Sequence, residues 1–133
     1  MISENQSFLL DTCTLLWIAK SPDLLPKPLE LTLRTAESHL YMSAASIWEL
    51  GLKRGAGFDL TGSLDTFATS LQETYAIELL PIEPIACEQL WKLPPIHRDP
   101  FDRMLVAQAI AHGMVLVTPD SEIAKYPVRV VWN

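Results

Sequence analysis

The chain has 133 residues, the size of one domain, and 49% of them are hydrophobic, which excludes a disordered polypeptide. Asp and Glu outnumber Lys and Arg by 16 to 10, so the formal net charge is −6 and binding of nucleic acid through bulk positive charge is disfavoured. The two cysteines, Cys13 and Cys87, exclude a disulfide scaffold or a cysteine zinc site and favour a reducing, cytoplasmic setting.

Membrane and targeting segments are not expected. No basic stretch precedes an apolar run near residue 1, and no apolar run approaches the ~18 residues of a membrane helix. The mean hydropathy of +0.18 is high for a small monomer and predicts that some apolar surface faces a partner. No linker or repeat divides the chain, so residues 1–133 are predicted to form a single domain.

The first half of the chain alternates strand and helix patterns. The pattern predicts strands at 7–11 and 39–42 and helices at 12–20, 29–38 and 44–54, with a proline-rich break at 22–28. Ser43 is a suitable N-cap for the last of these helices. Three glycines between 55 and 62 then predict a loop.

The second half continues the alternation. The pattern predicts helices at 63–75, 84–91 and 100–112, a short helix at 120–126, and strands at 77–82, 114–118 and 128–132. Asp99 and Pro100 suit the N-cap and first position of the helix 100–112, and Gly113 suits its C-terminal stop. Strands that alternate with helices in this way predict an α/β fold with a largely parallel sheet.

Acidic residues follow the predicted strands. Asp11 ends the first strand, and Asp120 lies just past the strand 114–118. Glu49 lies within two turns of the start of the helix after the second strand, and Asp102 lies in the first turn of the helix that Asp99 opens. Because sites in parallel sheets form beyond the carboxyl ends of the strands, these carboxylates are predicted to converge there.

Each acid also has a structural interpretation. Asp99 is interpreted as a helix cap, and Asp102 and Asp120 also suit helix N-termini. Glu49 is spaced to pair with Lys53 on the helix surface. For Asp11 the sequence indicates no local stabilising role, so a functional one is favoured.

A cluster of carboxylates requires cations or protonation, because two of them ~4 Å apart repel by roughly 4 kcal/mol at an effective dielectric of ~20. Hard oxygen ligands suit Mg²⁺ or Mn²⁺. Zinc is disfavoured because the three histidines have no zinc-ligand spacing to each other or to the cysteines. His97 is interpreted as a loop residue and Trp48 as a core residue.

Four segments resemble the PIN-domain ribonucleases, and more narrowly the VapC-type toxins of type II toxin–antitoxin pairs. They are FLLDTCTLLW at 8–17, SAASIWELGLK at 43–53, LPPIHRDPFDRMLVAQA at 93–109 and VLVTPD at 115–120. They occur in order and span most of the chain, whereas residues 55–80 carry no signature of the family.

The resemblance implies a three-layer α/β/α sandwich and cleavage of RNA phosphodiester bonds with Mg²⁺, for which Mn²⁺ can substitute. It assigns Asp11, Glu49 and Asp102 as catalytic metal ligands and Asp120 as a more variable fourth acid. It also implies that Thr118 supports the site by hydrogen bonding. Expected partners are an RNA substrate, a cognate antitoxin and a second copy in a homodimer; a membrane is not among them.

Basic residues near these motifs have two interpretations that the sequence leaves open. They either contact the RNA backbone or have a structural role, and they are Lys53, Arg54, Arg98 and Arg103. The structural role is that of a solvated surface residue or, for Arg103, of a partner to a nearby acid.

Other families with an acid after the first strand are excluded by single positions. A haloacid dehalogenase-type phosphatase requires an acid where Cys13 stands, and a receiver domain requires paired acids where Thr12 follows Asp11. A catalytically inactive PIN-like module that binds RNA or protein remains the alternative.

Overall fold

The computed structural model describes residues 6–35, 37–54 and 62–133, and the backbone alone of Arg54. The strands of the sheet are β1 Ser7–Leu10, β2 His39–Ser43, β3 Ile77–Leu80, β4 Val115–Val117 and β5 Val130–Val131. The α-helices within these ranges are α1 Thr12–Lys20, α2 Lys27–Leu33, α3 Ala44–Arg54, α4 Leu64–Tyr75, α5 Pro84–Trp91 and α6 Pro100–His112. Single 3₁₀ turns lie at Pro22–Leu24 and Ile123–Lys125.

The five strands form one parallel sheet in the order β3-β2-β1-β4-β5. The chain adds β2 and β3 on one side of β1 and then crosses over to add β4 and β5 on the other side. The strand order therefore reverses between β1 and β4, where Leu10 pairs with Met42 on one side and with Val117 on the other. In open α/β sheets, a crevice opens at this point beyond the carboxyl ends of the strands.

Two apolar cores lie on opposite faces of the sheet. Phe8 and Leu10 of β1 pack with residues of α1 to α4, whereas Leu9 packs with residues of α5 and α6. The side chains of a strand alternate between faces, so an uninterrupted apolar run is what a central strand covered on both sides requires. The predicted three-layer α/β/α sandwich with a mainly parallel sheet is confirmed.

The predicted helix caps at the carboxyl edge are also confirmed. The Ser43 hydroxyl accepts a hydrogen bond from the Ala45 amide at 2.9 Å, and Asp99 caps α6 through bonds from the Phe101 and Asp102 amides. Gly113 ends α6 with a left-handed φ of 65°, a conformation that favours glycine. These caps fix where α3 and α6 begin, and therefore where Glu49 and Asp102 lie.

Two predicted helices differ from the structure. The helix predicted at 29–38 begins earlier, because Pro28 fits the first turn of α2, and it ends at Leu33. The helix predicted at 120–126 is a single 3₁₀ turn, because the Asp120 carboxylate accepts the amide hydrogen of Glu122 and holds a turn instead. The loop predicted at 55–62 falls almost entirely outside the described residues. In the described ranges, each helix is too short or too polar to cross a bilayer.

Candidate active site

Asp11 lies where β1 ends beside β4, and its side chain is buried, with 6% of its surface exposed. Its Oδ1 accepts hydrogen bonds from the Thr14 amide at 2.8 Å and from the Thr14 hydroxyl, so Asp11 is the N-cap of α1. The sequence interpretation that this acid has no local stabilising role is therefore wrong. Burial raises the pKa of the Asp11 carboxyl, and the hydroxyls of Thr118 and Thr14 oppose this by hydrogen bonding to the charged form.

Glu49 projects from α3 toward the start of α1 and is also buried. The Thr12 hydroxyl donates to its Oε1 at 2.6 Å, and the Lys53 ammonium lies 3.0 Å from its Oε2. The Ser46 hydroxyl lies 3.0 Å from that of Thr12, which extends the polar contact between the two helices. The predicted pairing of Glu49 with Lys53 is confirmed, and both oxygens of this buried carboxylate have partners.

Asp102 is the acid with the most strongly perturbed environment. Burial is the largest cause that raises its pKa, to about 7, and the negative charges of Asp99, Glu49 and Asp11 raise it further. His97 acts in the opposite direction. In the absence of a cation, this environment therefore favours the protonated form of Asp102 more than water does.

Asp120 is held at the end of β4 by hydrogen bonds on three sides. Its amide donates to the Thr118 hydroxyl at 3.1 Å, and its Oδ1 accepts from the Glu122 amide at 2.8 Å. Its Oδ2 lies 3.1 Å from Nε2 of His97. Thr118 thus supports the site by hydrogen bonding, as the resemblance implied.

His97 was not predicted from the sequence as a site residue. Its Nε2 lies 3.1 Å from Oδ2 of Asp120 and 3.4 Å from Oδ2 of Asp102. Ligand atoms of these three residues all lie within 4.8 Å of one another. The sequence did contain one signal for His97. The residue lies two positions before Asp99, the N-cap of α6, and this spacing brings the side chain of His97 back over the first turn of that helix.

The structure thus brings the four predicted acids to the carboxyl edge of the sheet in two groups. Asp102 and Asp120 share His97, whereas Glu49 and Asp11 lie outside that group and act on Asp102 through their charge. The donor set fits a hard divalent cation, because it consists of carboxylate oxygens whose mutual repulsion a cation would relieve. The nearby Cys13 thiol has a pKa raised to about 11, mainly by burial, and so supplies no thiolate at neutral pH.

A family model described as the PIN domain matches residues 8–128, which includes all four of these acids. The chain belongs to the PIN domain family. No curated protein is similar enough in sequence to match the chain.

Solved structures of toxin–antitoxin proteins share this PIN fold. The DNA-bound VapBC of Salmonella typhimurium matches with a TM-score of 0.66 and 22% identity over 96% of this chain and 99% of that one. VapBC2 of Rickettsia felis, bound to a DNA fragment from its promoter, matches with a TM-score of 0.70 and 18% identity over 96% and 100%. VapBC-5 of Mycobacterium tuberculosis matches with a TM-score of 0.55 and 18% identity over 96% and 98%.

The basic residues near the PIN motifs differ in what they contact. Lys53 pairs with Glu49, and the Arg103 guanidinium donates to the carbonyl of Pro94 at 3.0 Å and to the hydroxyl of Tyr126 at 3.3 Å. Arg98 is exposed beside His97. The side chain of Arg54 lies outside the described residues. Arg103 therefore ties the loop before α6 in place, and Arg98 and the exposed end of Lys53 face solvent.

Trp48 is not a core residue. Its side chain is 61% exposed and packs edge-on against Phe101, with 5.0 Å between ring centroids. Leu52, one turn further along α3, is 58% exposed. The prediction is wrong because adjacent residues of a helix point in different directions, so the orientation of α3 that buries Glu49 leaves Trp48 exposed.

A cleft of about 680 Å³ lies away from the acids, near the starts of β2 and β3. Its lining includes Ile18, Leu33, Leu40 and Ile77. None of the four acids borders this cleft, so its size does not make it the catalytic centre. The perturbed pKa of Asp102 and the converging carboxylates make the carboxyl edge the candidate site instead.

Proposed function

We propose that this PIN-domain protein is a metal-dependent endoribonuclease that acts as the toxin of a toxin–antitoxin pair. The observation that carries the proposal is the set of acids Asp11, Glu49, Asp102 and Asp120 at the point where the strand order reverses. In the metal-free protein, burial and then the charges of the neighbouring acids raise the pKa of the Asp102 carboxyl to about 7. Such an arrangement is typical of a functional site.

In this proposal Asp11, Glu49 and Asp102 hold Mg²⁺ directly, and Asp120 contributes directly or through water. When bound, the divalent cation supplies the charge that activates water and stabilises a phosphodiester under attack. Thr14 and Thr118 orient Asp11 through hydrogen bonds, and Thr12 orients Glu49. These bonds hold the carboxylates in place before a cation binds, which limits the reorganisation that binding requires.

The RNA backbone needs positive charge that the whole protein, with a net charge of −6, does not supply. Among the side chains that the structure describes, Arg98 and Lys53 are exposed beside the acids and are proposed to contact phosphates. Lys53 pairs with Glu49 but still exposes 57% of its side chain. Arg103 is not assigned this role, because its guanidinium is already bonded to Pro94 and Tyr126.

The proposed partners are a cognate antitoxin and a second copy of the chain. Support comes from the solved structures with the same fold, which are VapBC toxin–antitoxin proteins. Trp48 and Leu52 expose apolar surface on α3, the helix that carries Glu49. An antitoxin segment over this surface would reach the acids, where a basic side chain, preferably Arg, would pair with them and displace the cation.

The test is cleavage of a labelled single-stranded RNA by the purified protein with Mg²⁺, with Mn²⁺ and with chelator. We expect cleavage that requires the metal, that falls by at least about a hundredfold in Asp102→Asn, and that stops when the antitoxin is added. Chelator-resistant cleavage would exclude the metal mechanism. RNA binding without cleavage under any metal condition would instead support the inactive PIN-like module.

A further inference from the structure

His97 is fixed at three points rather than placed loosely in a loop. Its amide donates to the hydroxyl of Tyr126 at 2.7 Å, and Tyr126 is itself buried. Its ring nitrogen Nδ1 accepts a hydrogen bond from the Asp99 amide at 3.1 Å. Its other ring nitrogen, Nε2, faces the carboxylates of Asp102 and Asp120.

These contacts determine the tautomer of the imidazole. A ring nitrogen that accepts a hydrogen bond carries a lone pair, so Nδ1 of His97 is unprotonated while the Asp99 amide points at it. The neutral ring therefore carries its proton on Nε2. That proton points toward the nearest oxygens, Oδ2 of Asp120 and Oδ2 of Asp102.

The same tautomer prevents coordination of a cation by Nε2. A metal ligand needs the lone pair of Nε2, which would require the proton to move to Nδ1. There it would meet the hydrogen of the Asp99 amide, and two donors would face each other across 3.1 Å. The bond from the His97 amide to Tyr126 holds the main chain of His97 in place beside the acids.

We propose that His97 is a positioning residue that donates its Nε2–H to the carboxylates of Asp102 and Asp120, holds them together, and does not ligate the cation itself. The cluster of His97, Asp102 and Asp120 thus contains two cation-binding acids and one residue that orients them. This inference rests on the proposed metal-dependent activity. It explains why a histidine lies beside the acids although the ligands do not form a zinc site.

The tautomer is tested on the metal-free protein by long-range ¹H–¹⁵N NMR of the imidazole rings. The His97 signals are assigned by their loss in His97→Gln, which leaves those of His39 and His112 in place. We expect a proton on Nε2. An Nε2 that carries no proton would overturn the proposal.

Two amide variants separate the functions of the two ring nitrogens. The amide nitrogen in His97→Gln reaches the position of Nε2 and retains a donor to the carboxylates. The amide oxygen in His97→Asn reaches the position of Nδ1 and retains an acceptor for the Asp99 amide. We expect the Mn²⁺ dissociation constant, measured by calorimetry, to stay within about threefold in His97→Gln and to rise about tenfold in His97→Asn.

Electron spin echo spectroscopy of the Mn²⁺-loaded parent protein provides the direct test of ligation. We expect no coupling from a directly coordinated imidazole nitrogen; such a coupling would overturn the proposal, as would equal Mn²⁺ affinity in the two variants. If the parent protein binds no Mn²⁺, the metal-dependent activity fails. The NMR spectrum of the metal-free protein would still decide the tautomer and the role of His97 as a donor.

Discussion

Two acidic side chains at opposite ends of the sheet have the same exposed fraction but different surroundings. Glu30 on α2, near the starts of the strands, and Asp102 on α6, beyond their ends, each expose 20% of the side chain. Glu30 lies between two cations, 2.9 Å from Arg34 and 3.6 Å from Lys27. Burial raises the pKa of Asp102 most, and the negative charges of neighbouring acids raise it further. Because the two side chains expose the same fraction, the sign of the neighbouring charges distinguishes the paired end of the sheet, at Glu30, from the crowded end, at Asp102.

The largest expected effect is the loss of catalysis when a carboxylate of the crowded end becomes neutral. Asp11→Asn retains a side-chain oxygen that caps α1, but it provides a weaker cation ligand. We expect RNA cleavage to fall by at least about a hundredfold. The metal-free free energy of unfolding should be unchanged or higher, because a buried charge among like charges is removed.

Cleavage assays and metal-free thermal unfolding of Asp11→Asn check both parts of that expectation. Glu30→Gln is the matched control and should cleave RNA at the parental rate. A variant at Asp11 that unfolds well below the parent temperature, or that cuts RNA as fast as the parent, would assign this residue to capping alone.

Binding of a cation should stabilise the folded protein by mass action. At a Mn²⁺ concentration of 100 times the dissociation constant, the expected gain is about 2.7 kcal/mol. The gain should shrink in Asp102→Asn, which removes a ligand, and should persist in Glu30→Gln. Thermal unfolding with and without Mn²⁺ measures it, and an equal gain in both variants would place the cation elsewhere.

The pH dependence of stability should also differ between the two ends. Asp102 has a folded-state pKa of about 7, above its ordinary value of 3.8, so the folded protein binds its proton more tightly than the unfolded chain. The protonated Asp102 therefore contributes to the free energy of unfolding below about pH 4, and this contribution is lost as the pH rises to about 7. It is on the order of 1 to 2 kcal/mol after solvent screening. Denaturant unfolding of the metal-free parent and of Asp102→Asn between pH 4 and pH 8 isolates this contribution.

Asp99→Asn sharpens the pH experiment. The amide keeps the cap of α6 but removes the first of the negative charges that raise the pKa of Asp102. We expect the loss of stability to end at a lower pH than in the parent protein, with little change in stability at pH 4. An unchanged profile would mean that the charge of Asp99 does not raise the pKa of Asp102.

The smallest expected effect lies at the paired end. Glu30→Gln removes the ion pairs with Arg34 and Lys27, and pairs with one exposed partner on a helix surface stabilise by roughly 0.3 to 0.5 kcal/mol. Denaturant unfolding at low salt measures the loss, which should diminish in high salt. A loss of several kcal/mol would contradict the distinction between the two ends.

Much of the fold was predictable because its signals are local. The helix at 12–20 and the helix at 100–112 were predicted with the bounds that the structure has, since Asp99, Pro100 and Gly113 specify the ends of α6 by backbone chemistry. The helix at 29–38 and the short helix at 120–126 were less accurate. There, Pro28 fits the first turn of α2, and the Asp120 carboxylate holds a turn through a hydrogen bond from Glu122; the apolar spacing reveals neither effect.

The sequence by itself determined that acids follow the strands, because strand ends are marked by residue type and the carboxyl ends of parallel strands meet at one edge. Only the tertiary structure decided which of those acids lie together, with Asp102 and Asp120 beside His97 and with Asp11 and Glu49 outside that group. Packing of α6 against β4 brings His97 between Asp102 and Asp120. Packing of α3 against α1 buries Glu49 and leaves Trp48 at the surface. The charge of the Asp102 carboxyl and the tautomer of the His97 ring depend on their distances from residues elsewhere in the chain, and folding alone sets those distances.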